Sequence, residues 1–187
     1  MERISISSLL GVMVVALLGV VVWSGANAQD TTTVTATVQA EEISISVADG
    51  SIDYGIISAG EKEDTTTDGI DATATGVNDL QTVTNEGNVA VDVDIQGQDA
   101  SGTGSNDWTL SATAGTDAYV HRFCNNTDND CTTDDTSYDD LTTSYKSLKT
   151  GVATASTVDF HLEIQTPTSS NDTDQKNADM TLRASAN

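Results

Sequence analysis

The chain has 187 residues with 29 Asp and Glu against 7 Lys and Arg, a formal net charge of -22, and so lacks the basic surface that nucleic acid requires. One proline, 14 glycines and two cysteines exclude collagen, proline-rich linkers, a disulfide scaffold and a four-cysteine zinc site. Asp supplies 22 of the acids and Thr occurs 29 times; both disfavour helix interiors and Thr favours strands, so the composition argues against an all-α fold.

Residues 1–28 read as an address, expected as a hydrophobic signal helix. Glu2 and Arg3 precede an apolar run from Leu9 to Trp23, and Ala26-Asn27-Ala28 places small residues where a signal peptidase needs them. The competing reading is a retained anchor, because residues 4–23 are just long enough to span a bilayer. Either way the remainder faces outside and is expected to be secreted, with no membrane contact after cleavage. Pro167 is the sole proline and sits in Thr-Pro-Thr, so no Leu-Pro-x-Thr-Gly sorting signal is present.

Residues 29–40 form a strand-prone extension in which Val34, Ala36 and Val38 share one face. It reads as an edge strand, a frayed terminus, or a donor strand completing a neighbour's sheet. From residue 41 to 187 a single domain is expected, built from period-2 alternation. Ile43, Ile45 and Val47 form the first stripe. Val89, Val91, Val93 and Ile95 alternate with Ala90, Asp92 and Asp94. Trp108, Leu110, Ala112 and Ala114 form the next stripe. Val158, Phe160, Leu162 and Ile164 alternate with Asp159, His161 and Glu163, and Met180 to Ala186 repeats the pattern. Weaker strand candidates are 33–38, 52–57, 70–75, 80–84, 118–123 and 145–153, and 141–148 holds one helical turn at most. Asp49-Gly50, Asp68-Gly69 and Asn85-Glu86-Gly87-Asn88 supply turns. Many short one-faced strands require a second sheet to cover them, so the expected fold is an all-β antiparallel sandwich of Greek-key or jelly-roll, Ig-like type.

Four features occur in order: Ile52-Asp53-Tyr54-Gly55, then Val91-Asp92-Val93-Asp94, then Trp108-Thr109-Leu110, then Phe160-His161-Leu162 with Thr166-Pro167 following. This series resembles the WxL domain of bacterial surface proteins over residues 40–187. Phe160 stands where that family has its second Trp, and Tyr54 replaces the usual Phe. The resemblance implies a secreted β-rich domain held non-covalently at cell-wall peptidoglycan, with Trp108, Leu110, Phe160 and Leu162 as the motif residues.

Cys124 and Cys131 are expected to pair, since an exported chain with two nearby cysteines most simply closes them into a bridge that stiffens a loop tip, the alternative being free or intermolecular thiols. Six aspartates lie between 128 and 140. Asp128, Asp130, Asp134 and Asp135 are candidate Ca²⁺ ligands, the alternative being a hydrated acidic loop. The domain needs no other cofactor. His121 and His161, the only histidines, are read at polar-phase strand positions without zinc spacing. Asn125-Asn126-Thr127 and Asn171-Asp172-Thr173 match the glycosylation pattern. No nucleophile elbow, phosphate loop or dinucleotide fingerprint occurs, so no catalytic residues are assigned and no enzyme is expected.

The functional expectation is a non-catalytic extracellular surface protein with structural or interaction duties, its partner a cell-wall polymer or a second copy of itself. The alternatives are a filament subunit joined by N-terminal donor strands and a Ca²⁺-dependent carbohydrate-binding module.

Overall fold

The structure, a computed structural model, describes residues 35–187 apart from Asp49, 67–77, Ser105 and 133–134. The signal segment, Val34, the candidate strand 70–75 and the Asp68-Gly69 turn lie outside the described residues. The chain divides into two units, Met1–Gln39 and Ala40–Asn187. Of the first, residues 35–39 are exposed and belong to no ladder, so the strand expected at 33–38 is not formed over its described part.

In the second unit the described residues form β1 (Ile45–Val47), β2 (Lys62–Asp64), β3 (Gln81–Asn85), β4 (Val91–Gly97), β5 (Ser101–Gly102) and β6 (Thr109–Leu110). They continue through β7 (Ala118–Asn125), β8 (Asp139–Asp140), β9 (Lys146–Val152), β10 (Thr157–Gln165), β11 (Lys176–Asn177) and β12 (Met180–Ala186). The one helical element among the described residues is a 3₁₀ turn at Asp135–Ser137. No turn of helix forms in 141–148, where β9 begins instead at Lys146.

The larger sheet runs β1-β3-β10-β7-β6. β2 adds to the edge of β10 beyond β3, and β8 adds to β7. All its ladders are antiparallel except β6 with β7. A second, three-stranded antiparallel sheet runs β12-β4-β9, and β5 pairs with β11. The strongest alternating stripes became these strands: Val91, Val93 and Ile95 are buried on β4, and Val158, Phe160, Leu162 and Ile164 on β10. One core cluster draws Val83, Phe123, Phe160 and Leu162 from the first sheet and Val91, Val93, Ile95 and Leu148 from the second. Each such side chain contributes roughly 1.5–3 kcal/mol by leaving water.

Three expectations are corrected. The stripe at 108–114 yields only the two residues of β6. Beyond Ser111 the chain bends, because Asp117 takes a left-handed φ of 49° and Gly115 N–H closes on Ala118 C=O at 3.0 Å. Residues 52–57 form a loop instead of a strand. Asp53 Oδ1 accepts the Gly55 N–H at 2.9 Å and Gly55 has a φ of 68°, a turn geometry that no ladder accommodates.

The third correction concerns the two histidines. His121 is not on a polar face: it shares the apolar side of β7 with Tyr119 and Phe123 and stands opposite Ile164. His161 does share a face with Glu163, yet that face is covered. Lys62 and Arg122, on the strands flanking β10, both reach the buried Glu163 carboxylate at 3.3 Å, and Thr65 Oγ1 lies 2.9 Å from His161 Nδ1.

Candidate interaction cleft

The sheets do not close along one side. A cleft of about 1350 Å³ opens there, with β1 and the loop 50–59 on one flank and the segment from Ser170 to Leu182 on the other. Ile95 of the second sheet and Phe160 of the first reach its floor.

The loop flank is held by its turns. Gly50, at φ 78°, ends β1 and donates its N–H to Gln81 Oε1 at 3.2 Å. Thr166 donates its hydroxyl to Ser58 C=O at 2.6 Å, which fixes the far end. Between these anchors Ile52, Tyr54 and Ile57 turn inward against the two core clusters, while Ile56 is left fully exposed. The Tyr54 hydroxyl lies 3.4 Å from His121 Nε2, and the rings meet edge to face at 6.2 Å. Burial pushes the Tyr54 phenol up, and it pushes His121 down to about 4. A neutral imidazole in the cleft wall is the consequence.

The opposite flank is held by carboxylates used as connectors. Asp117 accepts the Ser170 hydroxyl at 2.7 Å and the Asn171 N–H at 2.9 Å, bonds that hold its carboxyl below the usual range. Ser170 Oγ in turn accepts the Trp108 indole N–H at 3.0 Å. Asp172 meets Lys176 at 2.9 Å with both side chains nearly out of water. The Lys176 bond and the N–H groups of Asp174 and Asn106 bring Asp172 down to about 2.

Of the four predicted motif residues, Trp108 and Phe160 line the cleft, whereas Leu110 and Leu162 do not. Phe160 and Leu162 are fully buried in the main core, and Leu110 packs between that core and the second cluster. Trp108 is half-buried against Tyr119, and it lines the cleft together with Phe160. The cleft residues that sequence reasoning missed are His121, Gln81 and the Asp172–Lys176 pair. The alternation Tyr119, His121, Phe123 carried the first, and the i,i+4 acid–base spacing carried the last.

The other predicted sites lie elsewhere. Cys124 and Cys131 are bonded, with Cα atoms 5.8 Å apart, and pack with Tyr138 in a small cluster of their own. Of the candidate calcium ligands, Asp128 is held by Lys149 at 2.5 Å and by Asn125 Nδ2 at 2.8 Å. Asp130 accepts the Thr132 N–H at 3.0 Å and hydroxyl at 2.7 Å. Asp135 opens the 3₁₀ turn, and Asp134 lies outside the described residues. Among the described residues no three His, Cys, Asp or Glu side chains gather as a metal site. Ala36 and Val38, the described donor-strand candidates, are exposed.

Among the described residues no helix is long and apolar enough to cross a membrane. Compared with protein-family models, curated proteins and solved structures, the chain matches none.

Proposed function

We propose that this chain is an exported, non-catalytic structural and interaction module of the cell surface, an antiparallel β-sandwich of Greek-key or jelly-roll type retained at the wall by non-covalent contact. The observation that carries the reading is the cleft: strands of two sheets share one core, and beside it apolar side chains line an open groove. Concave apolar surfaces with a few placed polar groups are where proteins take up partners. The two tripeptides that resemble WxL motifs both reach this region through Trp108 and Phe160.

The disulfide and the acidic, Thr-rich composition support life outside the cell, where thiols oxidise and a charge of -22 keeps the surface hydrated. Sedimentation with purified peptidoglycan tests the assignment. The chain is expected to pellet with peptidoglycan beyond its level with a neutral polysaccharide; equal recovery from both would remove the wall reading.

A further inference from the structure

We propose that the cleft receives residues 31–38 of a second copy of this chain, laid in as an added strand between β1 and β12. The inference rests on the surface-module reading and names the partner of its cleft.

Two edges border the groove. Among the described residues β1 pairs only with β3, and β12 only with β4. Ile45, Val47 and Ile52 on one flank and Met180 and Leu182 on the other pack against the core without complete burial. An unfinished core between two open edges is the receiving geometry for strand addition: main-chain bonds supply affinity, and alternate side chains fill the gap.

The occupant must be extended, alternating and uncharged. The rim already carries Asp53, Asp174 and Asp179 on a chain of net charge -22, so an acidic strand is repelled. Beyond Asp30, residues 31–40 are the longest run without a charged side chain. Val34, Ala36 and Val38 alternate with threonines, giving one small apolar face and one strand-favouring polar face. Eight extended residues span about 26 Å, close to the ~23 Å of a seven-residue strand such as β12.

The described part of this segment is unsatisfied where it stands. Residues 35–39 join no ladder, and Val38 is 98% exposed. A fold-back into the same molecule's groove needs a reversal. Residues 31–43 contain no Gly, Pro, Asn, Asp or Ser to make one ahead of β1. The donor therefore belongs to another copy. Each copy then both gives and receives a strand, a heterologous contact that grows into a filament.

The test uses the full secreted chain and its V34D/A36D/V38D variant, followed by sedimentation velocity and negative-stain microscopy. Wild type is expected as fibres and the variant as monomers, with unchanged circular dichroism. A labelled peptide of residues 29–39 is expected to bind the variant and to shorten wild-type fibres. It should bind at least about tenfold more weakly once Leu182→Asp is added. Monomeric wild type, fibres that survive the triple substitution, or a peptide that binds neither chain would each overturn the proposal. Peptidoglycan sedimentation of the monomeric variant separates the two ideas. Retained wall binding without peptide binding ends the strand proposal alone; loss of both ends the surface-module reading with it.

Discussion

The Tyr54 hydroxyl lies 3.4 Å from His121 Nε2, while the other ring nitrogen, Nδ1, is buried without a partner. A loop residue from one flank of the cleft thus contacts a strand residue deep in the first sheet. Tyr54→Phe leaves both imidazole nitrogens without a side-chain bond. The variant is expected to lose about 1–2 kcal/mol, read as a lower denaturation midpoint at pH 7. Wild-type stability in Tyr54→Phe would show that the contact is incidental.

His121 also sets a pH dependence. Unfolded, it binds a proton near its ordinary value; folded, burial holds it neutral down to about 4. Between those values the unfolded chain binds more protons, so the stability that neutral His121 contributes is complete above pH 6.5 and falls as the pH drops toward 4. The full effect is roughly 3 kcal/mol. His161, also lowered by burial, acts in the same direction. His121→Leu should flatten this part of the stability–pH curve, measured as the difference from wild type by urea titration at pH 7, 5.5 and 4.5. Parallel curves would refute the assignment.

The two motif positions should differ in their response to truncation. Phe160 is buried among Val83, Leu162 and Phe123, and Phe160→Ala is expected to destabilise by about 3–5 kcal/mol. Trp108 is half-buried at the edge of the second cluster, and its side chain makes one hydrogen bond, to Ser170. Trp108→Ala should leave the chain folded while widening the cleft, so it ought to weaken partner binding more than folding. Equal losses of stability would place Trp108 in the core.

Loss of the Cys124–Cys131 bridge should be tolerated. It closes a short loop, whose constraint on the unfolded chain is about 2.5 kcal/mol at most, a fall in melting temperature of roughly 5–10 °C. The paired Cys124→Ala, Cys131→Ala variant should keep its β-sheet circular dichroism. Global unfolding on reduction would show that the bridge holds more than the loop.

A charge of -22 also predicts strong salt dependence. Raising sodium chloride from low to physiological concentration shortens the screening length to about 8 Å, so the melting temperature should rise with salt and level off. A temperature that falls with salt would mean that ion pairs such as Arg183–Asp94 outweigh the repulsion.

What the linear chain determined by itself was local. Alternation at β4, β10 and β12 decided which side chains share a face, Gly50 and Gly87 marked turns, and the spacing of Cys124 and Cys131 marked the loop they close. Tertiary structure alone decided what covers each face. Glu163 looks solvated in the sequence and is buried because Lys62 and Arg122, distant in the chain, close over it from both neighbouring strands. β2 and β8 hold only charged residues; they are strands because the edges of β10 and β7 offer unpaired main-chain groups. Backbone periodicity records orientation, whereas burial and edge pairing depend on which distant segment arrives, and no local pattern encodes that.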